Sequence, residues 1–136
     1  MVEQNQKFLN ESKNFIGEQS SRVERYICSG LQDFSPEPGR YDVIWCQWVL
    51  MNLTDEDLVA FFQRCKAGLA GNGLIIIKEN MSSSNEPDFD EEDSSVARPR
   101  NLIIDLAKRA GLSCVKEEKQ KSMPKDIYEV RMFAFQ

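Results

Sequence analysis

Histidine is absent from this sequence. Without an imidazole, zinc-hydrolase schemes and mechanisms that use a histidine base are excluded. Cysteine is sparse: Cys28, Cys46, Cys65 and Cys114 are scattered with no close pair. That spacing offers neither a disulfide framework nor a thiolate metal site, and it suits a reducing intracellular compartment. Three of the four thiols lie in apolar strand or helix patterns, the usual setting of buried free cysteines. No apolar run approaches the ~20 residues that a membrane helix needs. The start, Met1-Val2-Glu3-Gln4-Asn5-Gln6-Lys7, lacks the basic-then-apolar order of a signal peptide. Positive charge is also in deficit, with 17 Lys and Arg against 22 Asp and Glu for a net charge of −5. Phosphate neutralisation needs clustered cations, so nucleic acid is disfavoured as the main partner. A basic peptide or another cationic substrate suits this charge better.

What is present fits one soluble globular domain: 136 residues, 41% hydrophobic and 29% charged. Residues 6–16 carry Phe8, Leu9, Phe15 and Ile16 at mostly helical spacing, with Gly17 as a stop. Residues 22–28 alternate as a strand, and Ser35-Pro36-Glu37-Pro38-Gly39 is turn chemistry. Residues 41–47 form a strand with apolar groups on both faces, the pattern of a parallel strand covered by helices. Thr54 is a helix N-cap, with Asp57 three residues on, and Leu58, Phe61, Phe62, Cys65 and Leu69 mark the buried face. A turn at residues 69–73 leads into a core strand, Leu74-Ile75-Ile76-Ile77-Lys78, closed by Glu79-Asn80-Met81. Residues 82–92 read as an exposed acidic loop and residues 97–111 as a helix. Residues 112–119 and 127–135 are the last two strands, an antiparallel pair joined by a polar linker with Pro124. The order α-β-β-α-β-α-β-β implies an α/β fold with a mostly parallel sheet and one reversed strand.

The stretch Tyr41-Asp42-Val43-Ile44-Trp45-Cys46-Gln47-Trp48 is the most informative. A buried strand that ends in a polar side chain and turns towards a helix is where open α/β sheets place their ligands. Gln47 offers an amide with both donors and an acceptor, and the two tryptophans offer flat apolar faces. Trp45, within the strand, reads as core; Trp48, at its end, reads as site.

From Ser29 to Phe135 the sequence resembles the protein α-N-terminal methyltransferases, which methylate the α-amine of an exposed Xaa-Pro-Lys N-terminus. The resemblance rests on Cys28-Ser29-Gly30-Leu31-Gln32-Asp33-Phe34, Pro36-Glu37-Pro38, Tyr41-Asp42-Val43-Ile44-Trp45 and Gln47-Trp48-Val49. It continues through Leu53-Thr54-Asp55, Arg64-Cys65-Lys66, Asn72-Gly73, Lys78-Glu79-Asn80-Met81, Asp93-Ser94-Ser95-Val96 and Ile127-Tyr128. It implies a Rossmann-like class I methyltransferase sheet with a reversed last strand, and S-adenosyl-L-methionine as cofactor. It also implies basic N-terminal peptides, Xaa-Pro-Lys/Arg, as partners. The family's N-terminal helices, first strand and glycine-rich turn have no counterpart in these residues, so residues 1–136 are expected to be a partial, truncated domain. Such a chain is expected to be poorly stable alone, and to bind cofactor weakly, because the strand at Tyr41 would lack a neighbour.

By the same resemblance, Glu3 is the acid that holds the ribose hydroxyls, with Gln4 and Asn5 lining the same edge; an ordinary exposed terminus is the competing view. Leu31 and Gln32 belong to the loop that holds the adenine, and Asp33 serves that loop or caps its turn. Gln47 meets the cofactor, and Trp48 walls the substrate channel, where an indole face attracts a cationic amine. Glu79 and Asn80 are assigned to the substrate N-terminus, Glu79 standing where relatives usually carry Asp. Asp93 is the catalytic carboxylate. An α-amine with a pKa near ~8 is mostly protonated at neutral pH. The carboxylate helps only with a raised pKa, to which Asp88, Asp90, Glu91 and Glu92 could contribute by like-charge repulsion, or by passing the proton to water. Ser95 lies near the same pocket or caps the following helix. Asn52 stands where the family places a histidine used in proton handling; since asparagine does not titrate, deprotonation would rest on Asp93 and solvent. Within Asp-Ser-Ser-Val-Ala-Arg, Arg98 is retained and Pro99 replaces an acid.

Three functions compete on this evidence: N-terminal methylation, a catalytically dead binding module of the same fold, and a small-molecule methyltransferase. The last is disfavoured by the match of Trp48, Asn80 and the acidic loop to the peptide-binding family. No membrane or metal role is expected, the family implies nucleus and cytoplasm, and no feature points to an oligomeric state.

Overall fold

A computed structural model describes residues 1–124 and 127–136. Lys125 and Asp126, in the polar linker read from the sequence, lie outside the described residues. The chain divides into two compact units, Met1–Phe34 and Ser35–Gln136.

In the first unit, β1 (Val2–Glu3) pairs in parallel with β2 (Ile27–Cys28), Val2 opposite Ile27 and Glu3 opposite Cys28. Between them run α1 (Gln6–Ile16) and a 3-10 segment, Gly17–Arg22. Asn5 caps α1 by accepting from the Lys7 N–H at 2.9 Å, and Gly17 ends it at φ 62°. The strand expected over residues 22–28 is shorter than the alternation suggested. The chain stays helical through Arg22, and only Ile27–Cys28 find a ladder partner. Of the expected apolar stripe of α1, Leu9 is buried while Phe8 and Phe15 face solvent.

The second unit is built on a four-stranded sheet. Its elements are β3 (Tyr41–Gln47), α2 (Asp55–Gly68), β4 (Leu69–Met81), β5 (Asp88–Asp90), β6 (Ser95–Ala97), α3 (Arg100–Arg109), β7 (Cys114–Lys119) and β8 (Glu129–Phe135). The strand order is β3-β4-β8-β7. β3 and β4 are parallel, whereas β8 is antiparallel to both its neighbours. The last strand therefore enters reversed between β4 and β7, as the element order implied.

Period-2 alternation decides what β4 buries. Ile75, Ile77, Glu79 and Met81 point inward, and Ile75 and Ile77 lie opposite Phe135 and Phe133 of β8. α2 turns Leu58, Phe61, Phe62 and Cys65 into this core, and Phe62 meets Phe135 with ring centroids 6.0 Å apart. Each such large side chain, fully buried, contributes roughly 1.5–3 kcal/mol of transfer free energy. α2 starts as its sequence dictates: the Thr54 hydroxyl accepts from the Asp57 N–H at 3.2 Å and donates to the Asp57 carboxylate at 2.8 Å.

Several expectations are corrected here. Residues 69–73 are not a turn before the strand but part of β4, set off by a register shift between Tyr41 and Val43. Gly73 permits it, because a Cβ there would lie 2.6 Å from the Tyr41 carbonyl oxygen. The acidic loop contains β5, which pairs antiparallel with β6, so α3 starts at Arg100 with Pro99 at its N-cap. Ser95 sits in β6 and is not a helix cap. Finally, β3 is an edge strand with one face open. Trp45 is 55% exposed and Val43 53%, so Trp45 is not core; only Cys46 of β3 is buried. The thiols also divide differently, with Cys46 and Cys65 buried and Cys28 and Cys114 exposed.

Candidate functional site

Where β3 ends, Trp48 takes a left-handed backbone conformation, φ 50°. A bulky residue avoids this region unless its surroundings hold it there. The holding bonds are explicit. The Trp48 N–H donates to the Lys78 carbonyl at 3.0 Å, continuing the ladder. The indole N–H donates to Asn80 Oδ1 at 3.2 Å. The N–H groups of Val49 and Leu50 both donate to Glu79 Oε1 at 3.0 Å. Lys78 and Asn80 share the open face of β4, whereas Glu79 lies on the core face, so three consecutive residues of one strand grip the turn from both sides.

The result is a cavity of about 930 Å³ lined by Trp48, Met51, Asn80, Ser83, Met123, Ile127, Tyr128 and Glu129. Its size and its apolar lining with a few polar groups fit a ligand site. The Lys78 ammonium lies 4.9 Å from the Trp48 ring centroid, so one face of the indole already carries a cation. Tyr128 donates its hydroxyl to Asp88 Oδ2 at 2.6 Å, which ties the acidic β5 to the cavity rim. This bond raises the phenol above its ordinary pKa.

Asn80 and Trp48 thus line one cavity. Asn52 and Asp93 meet beside it, since the Asn52 amide donates to the backbone carbonyls of Asp93 and Ser94 at 3.4 and 3.5 Å. Met51, the neighbour of Asn52, is a cavity residue whose carbonyl accepts from Val96. Asp93 turns one carboxylate oxygen to the Ser95 N–H at 2.9 Å, and its other oxygen makes no hydrogen bond within the described residues. Gln47 is exposed on the open sheet face and accepts from the Trp45 indole at 3.3 Å. Glu79 requires correction as a substrate-binding residue. It is 3% exposed and spends its carboxylate on backbone N–H groups. Burial pushes its pKa up; the Leu50 and Val49 N–H groups and the Arg98 guanidinium pull it back.

Glu3, Gln4, Asn5, Leu31 and Gln32 belong to the first unit. There the Ser29 N–H donates to the Glu3 carbonyl at 3.2 Å, so the loop through Leu31 and Gln32 leaves β2 beside the end of β1. One Glu3 carboxylate oxygen accepts from the Asn5 N–H at 2.7 Å. A carboxylate beside a polar loop, at the carboxyl ends of two parallel strands, is a donor and acceptor set that fits a nucleoside's hydroxyls and base edge. Among the described residues no group of three or more His, Cys, Asp or Glu could hold a metal ion, and no helix is long and apolar enough to cross a membrane.

Sequence reasoning passed over Arg98 as a site element, and over Lys78, Met51, Ser83, Met123 and Glu129. For Lys78 the signal was available, since it lies opposite Gln47 and two residues from Asn80 on one face of β4. Met123 and Glu129 arrive from a distant part of the chain and carried no local signal.

A sequence profile of the AdoMet dependent proline di-methyltransferases matches residues 1–136. N-terminal Xaa-Pro-Lys N-methyltransferase 1-B of Xenopus laevis is 51% identical over 134 residues, which cover 98% of this chain and 60% of that protein. N-terminal Xaa-Pro-Lys N-methyltransferase 1 of Mus musculus is 48% identical over the same length, with the same coverage. A solved SAM-dependent methyltransferase of Leishmania major superposes with a TM-score of 0.92 at 32% identity, over 99% of this chain and 53% of that one. The chain therefore spans about 60% of the length of the curated relatives it matches.

Proposed function

This chain belongs to the AdoMet dependent proline di-methyltransferase family, and on that premise we propose that it serves methyl transfer from S-adenosyl-L-methionine to the α-amine of proteins with an exposed Xaa-Pro-Lys or Xaa-Pro-Arg N-terminus. The observation that carries this reading is the Trp48–Asn80 pair, an indole and an amide joined at 3.2 Å on the wall of one cavity. A flat apolar face beside an amide suits a proline ring and the backbone next to it. The net charge of −5 and the acids around β5 favour a basic residue at the third position.

When bound, the cofactor supplies an electrophilic methyl group on a sulfonium. The residues of this chain would do the rest. Glu3, Gln4, Asn5 and Gln32, with Leu31 packing beside them, would offer a nucleoside its partners within the first unit; the family resemblance alone assigns Gln47 to the cofactor. Trp48 and Asn80 would orient the peptide terminus, and alignment of amine with methyl is where most of the rate gain lies. The amine must present a lone pair. The Lys78 ammonium over Trp48 disfavours a second cation nearby and so favours the neutral amine. The free oxygen of Asp93 would take the proton or pass it to water. The nucleus and cytoplasm are the compartments we propose, on the family resemblance.

A second reading, a module that binds the same peptides without turnover, is favoured by one observation. The Asn52 amide is engaged with two backbone carbonyls and offers no titratable group. Transfer of labelled methyl from S-adenosyl-L-methionine to a Ser-Pro-Lys peptide decides between them. Transfer that stops when the peptide's α-amine is acetylated supports the enzyme. Saturable peptide binding with no transfer supports the module. Absence of both overturns the proposal.

A further inference from the structure

Glu79 and Arg98 are the two buried charged side chains among the described residues, each 3% exposed. Both are spent on the same short segment, the loop from Trp48 to Leu53. Glu79 Oε1 accepts from Val49 and Leu50 at 3.0 Å each. Arg98 is anchored through Nε on Asp55 at 2.7 Å. From there its Nη1 donates to the Leu50 carbonyl at 3.2 Å and its Nη2 to the Leu53 carbonyl. A carboxylate thus collects the loop's N–H groups while a guanidinium collects its carbonyls; Asp55 is the ion partner of Arg98, whose charge also favours the ionised Glu79.

The loop opens on the one residue that needs such a grip. Trp48 at φ 50° carries a conformational cost that only glycine escapes, roughly 1–2 kcal/mol. Relaxing it means turning the Trp48 N–Cα bond; with the Trp48 N–H held on the Lys78 carbonyl, that turn swings the following peptide and carries the Val49 N–H away from Glu79. The two N–H bonds that follow Trp48 therefore oppose relaxation. Glutamine has almost the same shape and keeps an oxygen for the two N–H groups, but it loses the negative charge that makes two bonds to one buried oxygen strong.

We propose that Glu79, countered by Arg98, is a positioning residue that locks Trp48 in its left-handed conformation and so fixes the indole as a rigid cavity wall. The consequence for substrate rests on the peptide reading above; the lock itself does not.

The test uses the 136-residue chain with Trp45→Phe, which leaves Trp48 as the sole tryptophan. Its acrylamide quenching and fluorescence anisotropy are compared for Glu79, Glu79→Asp and Glu79→Gln. Glu79→Gln raises the quenching constant at least about two-fold and adds a fast depolarising motion, while Glu79→Asp, which keeps the charge, restores most of the order. Unchanged Trp48 signals in a folded Glu79→Gln protein overturn the lock. A second arm covers a variant that fails to fold. Trp48→Gly accepts the left-handed backbone freely, so Glu79→Gln must lower the melting temperature less in that background than with Trp48 present. An equal loss in both backgrounds overturns the proposal. A third arm titrates a Ser-Pro-Lys peptide. About a ten-fold weaker Kd in Glu79→Gln, with S-adenosylhomocysteine affinity kept, supports the substrate role. A mobile indole with unchanged peptide affinity removes that role and the peptide reading of Trp48, and leaves the lock standing.

Discussion

The Trp48 indole donates its N–H to Asn80 Oδ1 across 32 positions of sequence. The bond joins the end of β3 to the open face of β4 and sets the angle at which the ring meets the cavity. Asn80→Ala removes the acceptor, and the indole N–H, on a 43% exposed side chain, turns to water. A neutral hydrogen bond of this kind contributes about 0.5–1.5 kcal/mol. Peptide affinity is expected to fall about five- to ten-fold with little change in melting temperature, as measured by isothermal titration. An unaltered affinity would show that the bond does not orient the binding wall.

Asp93→Asn separates charge from structure. The turn at Asp93 needs only an oxygen to accept the Ser95 N–H, and asparagine provides one. Stability is expected to stay within about 0.5 kcal/mol of the parent. If the remaining oxygen handles the substrate proton, turnover falls at least about 10²-fold while cofactor affinity holds. A large loss of cofactor binding with turnover preserved would contradict that role.

The thiols predict a labelling pattern. Burial, and after it the charge of Glu79, pushes the Cys46 thiol up to about 12. Burial pushes Cys65 higher still. Thiolate is the reactive form, so neither should react in the native protein at neutral pH. Cys28 and Cys114 are exposed. Burial, and after it Glu117, also push the Cys114 thiol up, so titration with an aromatic disulfide should release one equivalent rapidly from Cys28, a second more slowly from Cys114, and four only after denaturation. Rapid release of three or four would mean that the buried face of β3 opens on the timescale of the assay.

Glu117 accepts from Arg100 at 2.7 and 2.9 Å and also from Arg131. The Arg100 hydrogen bonds lower its carboxyl below the ordinary 4.5; burial opposes them, and Arg131 adds to the lowering. The unfolded chain therefore binds the proton more readily than the folded one. The contribution is complete above about pH 4.5 and is lost as pH falls through the lower folded value. With Arg100 half exposed, solvent screening keeps it near about 1 kcal/mol. Urea unfolding of Glu117→Gln should show that gap at pH 7 and little of it near pH 2. An identical gap at both would put the effect in packing, not charge.

Much of this architecture was legible in the residues. Thr54 and Asp57 announce α2, and the alternation of residues 127–135 announces the reversed strand that slots in as β8. Glu79 was misassigned even though the sequence held the answer. It is in phase with Ile75 and Ile77, so the period of β4 carries it to the core face, while Asn80 follows Leu74, Ile76 and Lys78 to the open one. Trp45 failed for another reason. An apolar run looks the same whether its outer face is covered or not, and only strand order shows that β3 stands at an edge. The grip of Arg98 on Leu50 and Leu53 spans 48 and 45 positions, a distance at which no local pattern speaks. Trp48, Asn80, Ile127 and Tyr128, four of the residues that carry the family resemblance, line the cavity, though only the first two were assigned to a site.

Among the described residues Tyr41–Gln47 has a neighbouring strand along one margin only, with Val43 and Trp45 looking outward. Open amides next to bare isopropyl and indole groups are a template for copies of themselves. Concentrating a purified stock brings these rims together, and the pairing of β3 with its own copies is expected to shorten the stock's shelf life. A lysine in place of Val43 should lengthen that shelf life without disturbing the rest of the molecule.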